Sequence, residues 1–314
     1  AIFILTIVAL KNDPILERNI KMGFDAENGR WQAVIEAHRK IPLSPLNCFY
    51  TNMALLKTGQ MPEKMFYYDQ IGTSGLFLTQ EDNFSCYAQS ELFWQLGLIN
   101  EAQHYAYESM IGYSSEQEPN IRNMKRLLNC AMVRQDSALT AKYGKILDKT
   151  LFYRNYARKN ENQKYPEAIV MKDMLIRNIS DVLAAILESD SGNRVIFEYL
   201  MAWHMLELDY QKAKNCFDRY YSNFSYPHIP THYAEFLALY KRLNNLDDDF
   251  YEQYPVSRYI RERFDMMDIL ISTEIDEQIQ KALENGFKNT YWFYVRFPLI
   301  GVSEKQEYKS KIIY

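Results

Sequence analysis

The sequence predicts an all-α protein, a right-handed solenoid of antiparallel helix pairs of the tetratricopeptide-like kind. Three observations point there. Gly (11) and Pro (10) are scarce in 314 residues, too few for the many tight turns of a sandwich or barrel. Nearly every segment spaces its apolar residues three or four apart, not alternately. A helix–turn–helix pattern also recurs, most clearly in Ser90-Glu-Leu-Phe-Trp-Gln-Leu-Gly97-Leu-Ile-Asn-Glu-Ala102-Gln-His-Tyr-Ala-Tyr107. There Gly97 can leave the helical region at little steric cost, and Ala102 is small enough for the second helix to approach the first.

Residues 1–10 form an uncharged apolar run too short by itself to cross a bilayer, which needs about 20. Residues 1–11 read either as the exit end of a membrane helix or as a buried first helix. Asn12-Asp13-Pro14 is a helix start. Helices are then expected over 31–38, 45–57, 61–70, 82–96, 99–110, 121–134 and 137–156. Residues 159–165 are polar and unpatterned, so they read as a loop. Ile169, Leu175, Ile176, Ile179, Val182, Leu183, Ile186 and Leu187 mark one long helix over 166–188. Helices follow over 194–207, 210–221 and 230–243. Asp247-Asp248-Asp249 is a solvated turn. Thr273-Glu-Ile-Asp276 resembles a capping box, and its helix ends at Asn285-Gly286. The repeat domain thus covers 12–290, and 291–314 is a closing segment whose start, Tyr291 to Phe297, reads as a short helix.

Aligning the units on the turn residue brings Gly29, Gly59, Gly97, Gln135 and Leu208 together, at intervals of 30, 38, 38 and 73. Five places later stand Val34, Lys64, Ala102, Thr140 and Ala213. The tetratricopeptide repeat has a period of about 34 and Ala near that place. Each such pair leaves an apolar face exposed until its neighbour covers it.

The runs Trp31-Gln-Ala-Val-Ile-Glu36, Asn52-Met-Ala-Leu-Leu-Lys-Thr-Gly59, Met65-Phe-Tyr-Tyr-Asp-Gln70, Phe197-Glu-Tyr-Leu-Met-Ala202, Ile229-Pro-Thr-His-Tyr-Ala-Glu235 and Thr290-Tyr-Trp-Phe-Tyr294 carry a resemblance. Over most of 12–295 the chain is similar to a Bacteroidetes family of unknown function. Its members resemble polytopic membrane proteins with a C-terminal helical-repeat region. The resemblance implies no activity. It favours reading residues 1–10 as the end of a membrane helix, and hence membrane attachment through a region upstream.

No P-loop, HExxH, GxSxG or Rossmann glycine set is present, so no enzyme class and no cofactor is suggested. A net charge of −4 spread along the chain gives no reason to expect nucleic acid. Cys48, Cys86, Cys130 and Cys216 are far apart in sequence and read as small buried hydrophobes. His232 and Glu235 can share a helix face as metal-ligand types, but Pro230 separates His228 from that face, and a packing cluster is the default. His38, His104 and His204 are isolated, as satisfied packing residues are.

The strongest binding candidates lie on first helices. Arg122, Lys125, Arg126 and Asn129 form the polar face of one helix. Arg122, Lys125 and Asn129 align to the inner, concave side, where tetratricopeptide domains use Lys and Asn to hold a peptide carboxylate. Phe49, Tyr87, Glu91, Trp94 and Gln95 align to the same side. Such an aromatic-lined groove would take a protein or peptide partner, an acidic one if Lys125 takes part. It would equally stack against a sugar ring, and the alternative reading is an accessory domain of a membrane enzyme handling glycans or lipid-linked sugars. The plainer reading of these residues is packing between units for the aromatics and a solvated face for the cations.

Overall fold

The computed structural model describes residues 14–79, 82–111, 121–160, 178–272 and 277–297. They are helical, with no strand among the described residues and one isolated bridge between Ile71 and Thr73. The expected ends of the chain, 1–11 and the part of 291–314 beyond Phe297, lie outside the described residues, as do Ile169, Leu175, Ile176 and Thr273 to Asp276.

The helices are α1 (Pro14–Glu27), α2 (Trp31–Ala37), α3 (Pro45–Lys57), α4 (Met61–Lys64), α5 (Asn83–Gln95), α6 (Ile99–Ile111), α7 (Ile121–Val133), α8 (Ser137–Asp148) and α9 (Arg154–Asn160). They continue as α10 (Ile179–Ser189), α11 (Arg194–Glu207), α12 (Tyr210–Tyr220), α13 (Thr231–Leu243), α14 (Phe250–Gln253), α15 (Arg258–Ser272), α16 (Glu277–Phe287) and α17 (Tyr291–Arg296). They form two compact units. Residues 77–177 make one, and residues 1–76 with 178–314 make the other.

The turn residues behave as the alignment expects. Gly29, Gly59, Gly97, Gln135 and Leu208 all have positive φ, between 57° and 79°. A sixth, Asn245 (φ 50°), follows Leu208 by one more unit, where the sequence suggested only a solvated turn. All six close the same hydrogen-bonded motif. At Gly97 its own N–H donates to the Trp94 carbonyl and Leu98 N–H donates to the Phe93 carbonyl (3.1 and 2.8 Å). At Gln135 the pair is Met132 and Ala131 (3.1 and 2.9 Å), at Leu208 Met205 and His204 (3.3 and 3.1 Å), and at Asn245 Arg242 and Lys241 (3.3 and 3.0 Å). These bonds satisfy carbonyls the helix itself leaves open and reverse the chain for the next helix.

Behind the turn, Val34, Ala102 and Ala213 are fully buried. The Ser90 hydroxyl donates to the Ala102 carbonyl (2.7 Å), so α5 and α6 touch at that point. Lys64 is exposed and Thr140 half-buried, so this position is buried in three of the five pairs. In unit two, α5 packs on α6, α6 on α7, α7 on α8 and α8 on α9. A core of Leu127, Leu128, Ala131, Tyr143, Leu147 and Ala157 binds the last three. All four cysteines are buried and reduced. Burial pushes the Cys130 and Cys216 thiols up to about 12, as suits packing residues.

Three expected helices differ. The helix expected over 137–156 is two, α8 and α9, because Thr150 starts a new cap: its hydroxyl accepts Tyr153 N–H (3.1 Å). Lys159 and Asn160 therefore belong to a helix, not a loop. Within the helix expected over 166–188, the described helix begins at Ile179: Asn178 is extended (φ −147°), and its side chain accepts Ser180 N–H (3.0 Å). The helix expected over 61–70 ends at Lys64, followed by a tighter turn over Met65–Tyr67. The sequence reading left α15 unassigned.

The first unit is discontinuous, and polar contacts join its parts. Glu63 accepts Thr231 N–H and hydroxyl (3.0 and 2.6 Å) and sits 2.9 Å from His228 Nε2. It thereby caps α13, whose own N-cap residue is Pro230. Burial acts to raise the Glu63 carboxyl, but the Thr231 bonds and His228 hold it below the usual carboxylate range. Farther along, Tyr199 OH donates to the Leu76 carbonyl.

The cap geometry gives a paired test. An added Cβ at Gly97 meets no atom within 4 Å, so its cost is purely conformational. Gly97→Ala should destabilise by about 1 kcal/mol, and Gln135→Gly, exposed and also left-handed, should stabilise by a similar amount. Equilibrium urea unfolding of both variants measures it; equal signs would refute the shared cap.

Candidate functional site

The candidate site is a face built by α5, α7 and α9 of the 77–177 unit. Asp82 sets the start of α5 by accepting Phe84 and Ser85 N–H (2.8 and 3.0 Å). From that start, Tyr87, Glu91 and Trp94 recur on one side of the helix. On α7 the matching row is Arg122, Lys125, Arg126 and Asn129.

These residues meet in three rungs. Arg122 lies 4.3 Å above the Tyr87 ring. Arg126 pairs with Glu91 and lies 4.7 Å above the Trp94 ring. Gln95 donates to the other Glu91 oxygen (2.7 Å). Lys125 lies 4.8 Å above Tyr156 of α9, whose hydroxyl donates to Asn129 (2.6 Å). Guanidinium and ammonium groups over ring faces are attracted by the ring quadrupole.

Burial divides the set. Glu91 and Arg126 are 1% and 7% exposed, so their charges are neutralised inside the protein, where an unpaired charge would be costly. Tyr87 and Asn129 are buried, whereas Trp94, Gln95, Arg122 and Lys125 are half-buried. Phe49 does not join them. It belongs to the other unit, 1% exposed in the core and edge-on to Tyr50, so the sequence expectation that it lines the groove is corrected. The α3 helix is buried nearly all round, and a one-sided reading of it fails. Tyr156 is the residue the sequence-based set left out. Arg126 was placed on the polar face of α7 but not on its inner side, and its pairing with Glu91 and Trp94 puts it there. Tyr156 was hidden because α8 and α9 read as one helix.

His232 and Glu235 are placed by packing. Phe66 N–H donates to His232 Nε2 (3.3 Å), so the proton sits on Nδ1, which donates to Glu235 (2.8 Å). The same carboxylate oxygen accepts Tyr291 N–H (2.8 Å), and the Glu235 carbonyl accepts Trp292 Nε1–H (2.6 Å). Both ring nitrogens are thus used to tie α13 to residue 66 and to α17. No group of three or more metal-ligand side chains converges among the described residues.

A second polar aromatic feature lies in the other unit, a cleft of about 520 Å³. Phe217, Tyr221 and Tyr226 stack in sequence at 4.2 and 5.2 Å, within 14° of parallel. Beside them Asp218 accepts from Lys214 Nζ (2.6 and 2.8 Å) and from Tyr254 OH (2.6 Å). Burial, then the Asp218 bond, pushes the Tyr254 hydroxyl up. No sequence spacing announced this cleft, because its rings come from α12, the segment after it and the residue that ends α14.

The fold and the face define an all-helical protein of packed helix pairs. The chain belongs to DUF6057, a family of unknown function, which matches residues 2–298. No curated protein and no solved structure matches it. No described helix is long and apolar enough to cross a membrane.

The Glu91–Arg126 pair is testable. Glu91→Ala should destabilise by about 3 kcal/mol or more, because it strands the Arg126 charge, and adding Arg126→Met should recover most of that loss. Urea denaturation of single and double variants decides it; a double variant as weak as the single would show that the pair does not neutralise itself.

Proposed function

We propose that this chain is a protein- or peptide-interaction module of a membrane-attached bacterial protein, non-enzymatic in this region, and that its helix pairs form a right-handed tetratricopeptide-like solenoid. The solenoid reading is supported by six left-handed caps with one shared hydrogen-bond pattern, at intervals of 30 to 38 residues or about twice that. The interaction reading rests on one observation. Half-buried Trp94, Arg122 and Lys125 share the face of first helices, with two cations one turn apart on α7. An aromatic anchor with adjacent cations suits an acidic or C-terminal peptide. Membrane attachment is supported by the family resemblance and by the apolar run at 1–10. The net negative charge argues against nucleic acid.

The test is titration of fluorescent peptides with acidic C-termini. Lys125→Glu should weaken binding about tenfold, since it replaces a charge-assisted contact by repulsion, while the melting temperature falls by only a few degrees. Equal affinity in the variant would sink the peptide reading.

A second reading, an accessory domain that holds glycans, is favoured by the Phe217–Tyr221–Tyr226 stack beside a fixed carboxylate. The half-buried edges of Tyr221 and Tyr226 line the cleft, and exposed Asp218 would accept from sugar hydroxyls there. If it holds, Tyr226→Ala should abolish retention on an immobilised oligosaccharide that retains the parent protein.

A further inference from the structure

The turn between α8 and α9 carries a surface that the peptide reading does not use. Leu151 and Phe152 are 82% and 85% exposed, more than any other large apolar side chain among the described residues. They are not loose. Leu147 before them is fully buried, and Tyr153 after them packs on the core of the unit. Between these anchors, Thr150 N–H and hydroxyl donate to the Leu147 carbonyl (2.9 and 2.7 Å). The same hydroxyl accepts Tyr153 N–H. A turn fixed at both ends therefore holds the two side chains outward.

Their surroundings are basic. Lys142, Lys145, Lys149, Arg154, Arg158 and Lys159 are all exposed, with Asp148 the one carboxylate among them. The whole chain is net −4, so this stretch runs against the charge of the rest. Arg154 donates to the Asp148 carbonyl (2.9 Å) and Arg158 to its carboxylate (2.6 Å), which holds both cations beside the turn.

We propose that this turn is a membrane-contacting knuckle: Leu151 and Phe152 enter the interfacial layer of an anionic bilayer, and the surrounding Lys and Arg lie against its headgroups. Two side chains fall far short of the ~800 Å² per partner that a stable protein interface buries. They match an apolar tip that dips a few ångströms into a headgroup layer. Each cation close to an anionic leaflet strengthens binding by about fivefold, and charge complementarity selects anionic over zwitterionic lipid. The proposal is independent of the peptide reading and of any attachment through the N-terminal region.

The experiment uses the full chain and vesicles of phosphatidylcholine with or without about one third phosphatidylglycerol. Phe152→Trp is compared with the parent protein, using acyl chains brominated near the headgroup as quencher. The expected result is additional quenching from the introduced indole in anionic vesicles only, suppressed by high salt. Vesicle binding through another segment does not produce that difference. Leu151→Ala/Phe152→Ala and, separately, Lys145→Glu/Lys149→Glu should each weaken flotation with anionic vesicles by about tenfold or more. Their circular dichroism melts should stay unchanged, because all four side chains are exposed. No extra quenching overturns the proposal, and so does equal quenching in zwitterionic vesicles. Retained flotation by both variants, together with loss of an acidic protein partner, would assign the surface to protein instead.

Discussion

The left-handed helix cap is the constraint on which the rest of the structure depends. A helix ends with carbonyls that nothing inside it can satisfy. Here six first helices solve this in one way: one residue turns to positive φ, and two backbone N–H groups fold back onto the last turn. That fixes where the next helix starts and from which side it returns. Close packing is then decided a few residues later. Where Val34, Ala102 or Ala213 stands, the two helices touch. Where Lys64 or Thr140 stands, that position is exposed or only half-buried.

The polar contacts between helices divide by unit. In the 77–177 unit, those on the candidate face run between α5, α7 and α9 as cations over rings, with a buried ion pair at the centre. Nonpolar sets of similar volume are often no less stable than a buried ion pair; here the pair sets Arg126 of α7 opposite Glu91 of α5. In the other unit, long-range bonds do a different job. Glu63 caps a helix whose own cap position is a proline. His232 accepts from distant Phe66 N–H and donates to Glu235 of its own helix, whose carboxylate in turn accepts Tyr291 N–H.

Most of the helix pairs, and all five aligned turns, were legible in the sequence, since Gly and a 3.6-residue period are local signals. Asn245 was obscured by the acidic run that follows it. The breaks at Thr150 and Asn178 were not legible, because each depends on a single side chain accepting a backbone N–H inside an otherwise helical pattern. Of the site, the row Tyr87, Glu91, Trp94 and the row Arg122, Lys125, Asn129 followed from helical spacing. Their pairing did not, because spacing on one helix says nothing of which residue of the next stands opposite. Phe49 shows the converse error: a helix buried on all sides presents no face, and alignment alone cannot reveal that. The cleft at Phe217 was illegible for a further reason, as its rings meet only after three elements are assembled.

The divided unit has a consequence in time. Phe66 and His232 are 166 positions apart. At about 5–20 residues per second of synthesis, the first segment waits roughly ten to thirty seconds for its partner. All the contacts described for the 77–177 unit lie within its own stretch, and that stretch emerges whole during the wait. The nascent chain thus carries α1 to α4, packed on one another but without the cover of α11 and α13, while a later-made unit closes. Its greatest exposure to chaperones and to misassociation falls before the ribosome reaches α13.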